Sequence, residues 1–145
     1  MRVWLLGFSA AILIAAPREV AGQARITTKT GVYNLPQATR GKDVYVIYCK
    51  SCHTPESHTS KVFQATWNGR KLWDMFAFVR ERMPKNEPGS LSDEEYADVL
   101  AYMLRLNQMP LGKTELPSDS TKLSRIRFET KAPIKVTKSS KGNSP

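Results

Sequence analysis

The sequence predicts an all-α fold, and three observations carry that expectation. Apolar residues recur at helical spacing in three segments. Ser92-Asp-Glu-Glu95 has the form of a reciprocal helix cap. No stretch alternates as a strand does, apart from the brief LSRIRF of residues 123–128.

A chain of 145 residues suits one compact domain. Residues 25–39 are polar and irregular, with turn formers at Gly31, Asn34 and Pro36, and read as an exposed N-terminal arm. The domain proper is expected over residues 40–110. A first helix over about residues 40–52 follows from Tyr45, Tyr48, Cys49 and Cys52, which fall at helical spacing. Residues 53–67 (HTPESHTSKVFQATW) read as a loop. Asn68 is placed to cap a second helix from Gly69, with Leu72, Trp73, Phe76, Val79 and Met83 on one broad face and Pro84 as its stop.

The third helix has the clearest start. The Ser92 hydroxyl can accept from the Glu95 N–H while the Glu95 side chain reaches back, and Leu91 and Tyr96 can close a hydrophobic staple around the cap. Asp93, Glu94 and Glu95 also suit the positive end of the helix dipole. Val99, Leu100, Tyr102, Met103 and Leu106 supply the apolar face, and Pro110 and Gly112 end the helix. Residues 111–128 are left as a C-terminal strap. Residues 129–145 form a basic tail rich in Lys, Ser and Pro, a composition that does not bury a core.

Three helices make a small core, and small cores often need an internal staple or cofactor. Phe63, Trp67, Trp73, Phe76 and Phe78 would pack well on a flat apolar group. Such stripes are ordinary core more often than cofactor boxes, so the aromatics alone do not imply one.

The first 24 residues read as a signal peptide. Arg2 gives a positive start, residues 3–16 are nearly all apolar, and small residues follow at Ala21, Gly22 and Ala24. A membrane anchor fits less well, because a spanning helix needs about 20 apolar residues. Cleavage is expected near residues 22–24, leaving an exported, periplasmic protein with no transmembrane span.

Net charge is +9, and residues 111–145 hold eight Lys or Arg against three acids. Basic proteins often meet nucleic acid, but an exported one meets an acidic protein partner or an anionic membrane face more readily.

Both cysteines of the chain sit in Cys49-Lys-Ser-Cys52-His53, a C-x-x-C-H motif. Two thiols at this spacing can add to the two vinyl groups of one haem, and the adjacent His then supplies an imidazole nitrogen to the iron. Three other readings compete. A Cys49–Cys52 disulfide closes a very short loop for little gain. A thioredoxin-like pair wants a βαβ context. Zinc wants four ligands, and the chain offers only these two Cys with His53 and His58. A covalent haem c with His53 as metal ligand is the reading that uses every residue of the motif.

For the second axial ligand, Met83 is favoured, because it ends a helix where the chain turns into a loop before Pro84. Met75, Met103, Met109, His58 and an open position are the alternatives.

Over residues 40–108 the chain resembles class I monohaem cytochromes c. Gly41 and Tyr45 match the family's small and aromatic pair ahead of the cysteines. Cys49, Cys52 and His53 match its attachment motif, and Met83-Pro84 its distal Met. Leu91-Ser-Asp-Glu-Glu95 leads into a last helix whose Val99 and Tyr102 look like the residues meeting the first helix. The Trp67-Asn-Gly-Arg70 run and the stretch MPKNEPGSLSDEEYADVLAYML look most like bacterial cytochromes associated with quinoprotein dehydrogenases. One departure is the segment after His53, commonly Gly-rich in the family and here TPESHTS; it leaves open whether Pro55 gives the carbonyl that orients the His53 ring.

The resemblance implies a single haem in a helical domain, ligated by His53 and Met83, with Trp67 and Arg70 as candidates for its propionates. It implies an electron-transfer protein rather than an enzyme, passing single electrons between a dehydrogenase or respiratory complex and a terminal acceptor. Redox partners with acidic docking surfaces are expected. A cytochrome subunit docked permanently on a quinoprotein dehydrogenase is one rival. A small-ligand-binding haem enzyme or sensor, should Met83 not bind iron, is the other.

Overall fold

In the computed structural model, which describes residues 25–130, the first helix (α1, Leu35–Tyr48) starts well before residue 40. The expected signal peptide, and the tail from residue 131 on, lie outside the described residues. Asn34 sets the start of α1. Its backbone is extended and its side chain accepts the Gln37 N–H at 2.9 Å. Pro36 sits in the first turn, where no N–H is needed.

The segment expected as an exposed arm is therefore partly helix and partly core. Val32 and Tyr33 are buried. The Tyr33 hydroxyl donates to the Met109 carbonyl at 2.8 Å. The Gln37 amide donates to the Leu116 carbonyl at 3.0 Å and accepts the Leu116 N–H at 2.6 Å. Those partners lie far down the chain, so local polarity gave no sign of them.

Cys49 caps the C-terminal end of α1, and residues 49–52 continue as a turn rather than as helix. A 3₁₀ turn (Pro55–His58) and a short helix (α2, Lys61–Trp67) occupy the stretch expected as a loop. The Ser60 side chain starts α2 by accepting the Phe63 N–H at 3.1 Å. Only Trp67 of α2 is buried, so its sequence carries no apolar stripe to announce it.

The next helix (α3) spans Leu72–Arg82. Asn68 does not cap it. Asn68 ends α2, and its side chain accepts from the Thr130 N–H at 3.0 Å. Gly69, at a φ of 80°, makes the left-handed turn between the two helices.

The last long helix (α4, Asp93–Leu106) starts as predicted. The Glu95 N–H donates to the Ser92 hydroxyl at 3.2 Å, and the Ser92 N–H to the Glu95 carboxylate at 2.8 Å. Leu91 and Tyr96 are buried in one cluster. Residues 96–104 of α4 are all buried, well beyond a single stripe. The central contact is α1 against α4. It is closest at Gly41, where a Cβ would overlap the Asp98 carbonyl. Beside that crossing the Arg40 guanidinium grips Asp98 through two bonds of 2.9 and 3.0 Å and reaches Glu115 at 2.9 Å.

Strap residues Leu116, Leu123, Ile126 and Phe128 join α4 residues in one buried cluster. After a final short helix (α5, Ser120–Leu123), the backbone runs between the N-terminal segment and the α2–α3 turn. Thr28 N–H donates to Arg127 O at 2.9 Å, Gly69 N–H to Phe128 O at 2.7 Å, and Leu72 N–H to Ile126 O at 2.8 Å. These bonds form isolated bridges, and among the described residues there is no longer strand. The alternation in LSRIRF buries Ile126 and Phe128, with Leu123 before them. Phe128 meets Phe63 edge-on at 6.0 Å. Truncation to Phe128→Ala is expected to cost about 3–5 kcal/mol in urea unfolding. A cost under about 1 kcal/mol would show the strap to be a loose covering.

Candidate haem-binding cleft

Between the Cys49–His53 turn, α2, α3 and the loop after α3 lies a cleft of about 930 Å³. That is at the upper end of the size usual for cofactor pockets. Cys49, Cys52, His53, Trp67 and Met83 all line it. Arg70 does not. Its guanidinium lies 4.8 Å over the Trp67 ring and pairs with Asp74 at 3.7 Å.

The turn presents the two thiols and the imidazole together. The Cys49 carbonyl accepts from both the Cys52 N–H at 3.1 Å and the His53 N–H at 2.9 Å. The His53 carbonyl accepts from the Tyr45 hydroxyl at 3.0 Å, which ties the end of the turn back to α1. Tyr45 is itself fixed by its packing on Tyr102 of α4, and burial, then the nearby Cys49 thiol, pushes its phenol up to about 12. Both thiols are free; Cys52 is exposed and Cys49 half-buried, with its thiol pKa raised by desolvation. An exposed turn carrying free thiols suits covalent attachment more than a buried disulfide would.

Met83 follows the last turn of α3. Its N–H donates to the Val79 carbonyl at 2.8 Å, and its carbonyl accepts from the Tyr96 hydroxyl at 2.7 Å. The backbone is thus held on both sides while the half-buried side chain lines the cleft. Met75 and Met103 also line it, but both are buried on helices with core neighbours. Met109 lies elsewhere, beside Gln64 and Asn107.

His58 also faces the cleft, a placement the sequence gave no reason to favour. Its ring is held edge-on by Tyr45 at 5.5 Å and Phe63 at 5.6 Å, and lies 5.4 Å from the His53 ring. Burial, then the proximity of His53, pushes the His58 imidazole down to about 4. Phe63 and Phe78 are further cleft residues, and Phe78 is partly exposed at its edge.

The lining fits a haem. It contains no carboxylate, it is rich in aromatic and sulfur side chains, and it gathers two thiols, an imidazole and thioethers into one cavity. A zinc site finds less support, because among the described residues no three His, Cys, Asp or Glu side chains group as metal ligands. Residues 36–103 match the family model described as cytochrome C oxidase, cbb3-type, subunit III. This is an all-α cytochrome c fold. No curated protein sequence and no solved structure matches the chain.

The matched stretch runs from the first turn of α1 to the last turns of α4 and holds all of the cleft's lining residues. It stops before the strap, so Phe128 and its backbone bonds lie outside the matched stretch. The match supports haem-based electron transfer and redox protein partners. Among the described residues no helix is long and apolar enough to cross a membrane.

Proposed function

We propose that this chain is an exported class I monohaem c-type cytochrome that carries single electrons between a dehydrogenase or respiratory complex and a terminal acceptor. The observation that carries this reading is the convergence of Cys49, Cys52, His53 and Met83 on one carboxylate-free cleft. Cys49 and Cys52 would hold the haem through thioethers, with His53 and Met83 as its axial ligands. When bound, the haem supplies a one-electron ferric/ferrous couple.

The protein's own part is to position and to exclude water. Tyr45 and Tyr96 fix the two ligand segments by bonding the His53 and Met83 carbonyls. Phe63, Trp67 and Phe78 line the cleft with low-polarity surface, which disfavours the extra positive charge of the ferric state. Trp67 remains the candidate for a propionate contact, with Arg70 stacked on its ring. With His53 and Met83 both as ligands, the iron would have no site for substrate, which favours a carrier over an oxidising enzyme.

Docking would use the exposed edge of the cleft. Val46, Ile47 and Tyr48 are exposed just ahead of Cys49, and Lys85 lines the cleft. Together with a net charge of +9 this suits an acidic redox partner. A quinoprotein dehydrogenase is the partner suggested by the sequence around Trp67 and Met83.

The test is a visible spectrum of protein made with its own leader in a bacterium equipped for cytochrome c maturation. Sharp reduced c-type bands, with a weak far-red sulfur-to-iron band when oxidised, are expected. A colourless product, from cells that load a control cytochrome, would refute the reading.

A further inference from the structure

His58 lines the cleft, and the proposed function leaves its imidazole unused. Among the described residues its Nε2 is the buried side-chain nitrogen or oxygen without a hydrogen-bond partner. Leaving such an atom unpaired carries the desolvation penalty of a buried polar group, so its isolation asks for a reason. The residue is not casually placed. The Asn107 amide donates to its backbone carbonyl at 2.9 Å, and the Tyr45 and Phe63 rings pack against the imidazole on two sides.

A third ring beside it is that of His53. The two ring centroids are 5.4 Å apart and the planes tilt by 47°. At that separation, two imidazoles turned nitrogen to nitrogen come within about hydrogen-bond distance. A histidine that binds a metal through one nitrogen almost always donates its other N–H, to a carboxylate, a carbonyl or water, and that bond fixes the ring's orientation and basicity. The cleft lining offers no carboxylate for that role.

On the haem reading above, we propose that His58 is the positioning residue for the proximal ligand: its Nε2 accepts the Nδ1–H of His53 when the other nitrogen of His53 is bound to iron. A neutral imidazole has one acceptor nitrogen for this purpose. The bond would orient the His53 ring from within the TPESHTS segment, taking the place of a backbone carbonyl. It would also make His53 a stronger donor to the iron and hold the potential below the value it would otherwise take.

The experiment uses the haem-loaded protein labelled with ¹⁵N-histidine, in the reduced, diamagnetic state. A slowly exchanging His53 Nδ1–H with a through-bond nitrogen–nitrogen coupling to His58 Nε2 is expected. His58→Leu should keep its c-type spectrum, shift the midpoint potential upward and speed exchange of that proton at least tenfold. His58→Gln, which retains an acceptor oxygen, should restore most of both. A haem-loaded wild-type protein whose His53 Nδ1–H shows no coupling to His58 overturns this inference and leaves the cytochrome reading intact. An unchanged potential in His58→Leu does the same. A wild-type protein that attaches no haem overturns both.

Discussion

On the proposed ligation, Met83→Ala, made in the haem-loaded protein, is expected to lose the far-red band of the oxidised form and open the iron to cyanide and carbon monoxide. The midpoint potential falls by on the order of 0.1–0.2 V, against the roughly 0.8 V over which axial ligation tunes haems. A thioether favours ferrous iron, and water or hydroxide in its place favours ferric. The fold should survive, because Met83 is half-buried at the end of α3 and its backbone bonds to Val79 and Tyr96 do not involve its side chain. Met103→Leu is the comparison. Met103 lines the same cleft from α4 but is packed with Tyr45, Val99 and Tyr102, so its replacement should leave the band in place. Loss of the band in Met103→Leu and its persistence in Met83→Ala would assign the ligand to the other methionine.

The largest effect on stability is expected at Gly41. An added Cβ there meets the backbone of Asp98 and Val99, not the movable end of a side chain. Relief requires α1 and α4 to move apart, which also loosens the Arg40–Asp98 fork beside the crossing. Gly41→Ala should therefore cost about 3 kcal/mol or more, above the usual range for overpacking and a large part of the 5–15 kcal/mol that holds a domain together. Gly69→Ala gives the contrast. Its φ is positive, but a Cβ would meet nothing within 4 Å, so only the left-handed backbone is penalised, at about 1–2 kcal/mol. Urea unfolding of both variants with haem attached measures the difference. Equal costs would show that the helix crossing has slack to give.

The attachment turn was legible from residues alone, because the chemistry demands adjacent groups and adjacency is what a sequence displays. The start of α4 was legible for a similar reason: Ser92 and Glu95 satisfy each other within one turn. The arm at residues 25–39 was misread because Tyr33 and Gln37 find their partners at Met109 and Leu116, and nothing local marks a polar residue as bound for the interior. Asn68 was misassigned in the same way, its side chain serving Thr130 and not the next helix. Arg70 stands beside Trp67 in the sequence and stacks on its ring, but it is not among the residues that line the cleft. As a distal ligand His58 is disfavoured by its closeness in sequence to His53; its approach to the His53 ring depends on how the Pro55–His58 turn folds back.

The sequence by itself determined the all-α class and singled out Cys49, Cys52, His53 and Met83 as candidate haem residues, which the fold brings to one cleft. These follow from periodicity and from spacing within a few residues. Only the tertiary structure decided that residues 111–130 wrap the domain, that α4 is buried on nearly every side, and that an unpaired imidazole stands next to His53. Those features arise from contacts between distant segments, where burial energy is shared by surfaces that no short stretch of sequence contains.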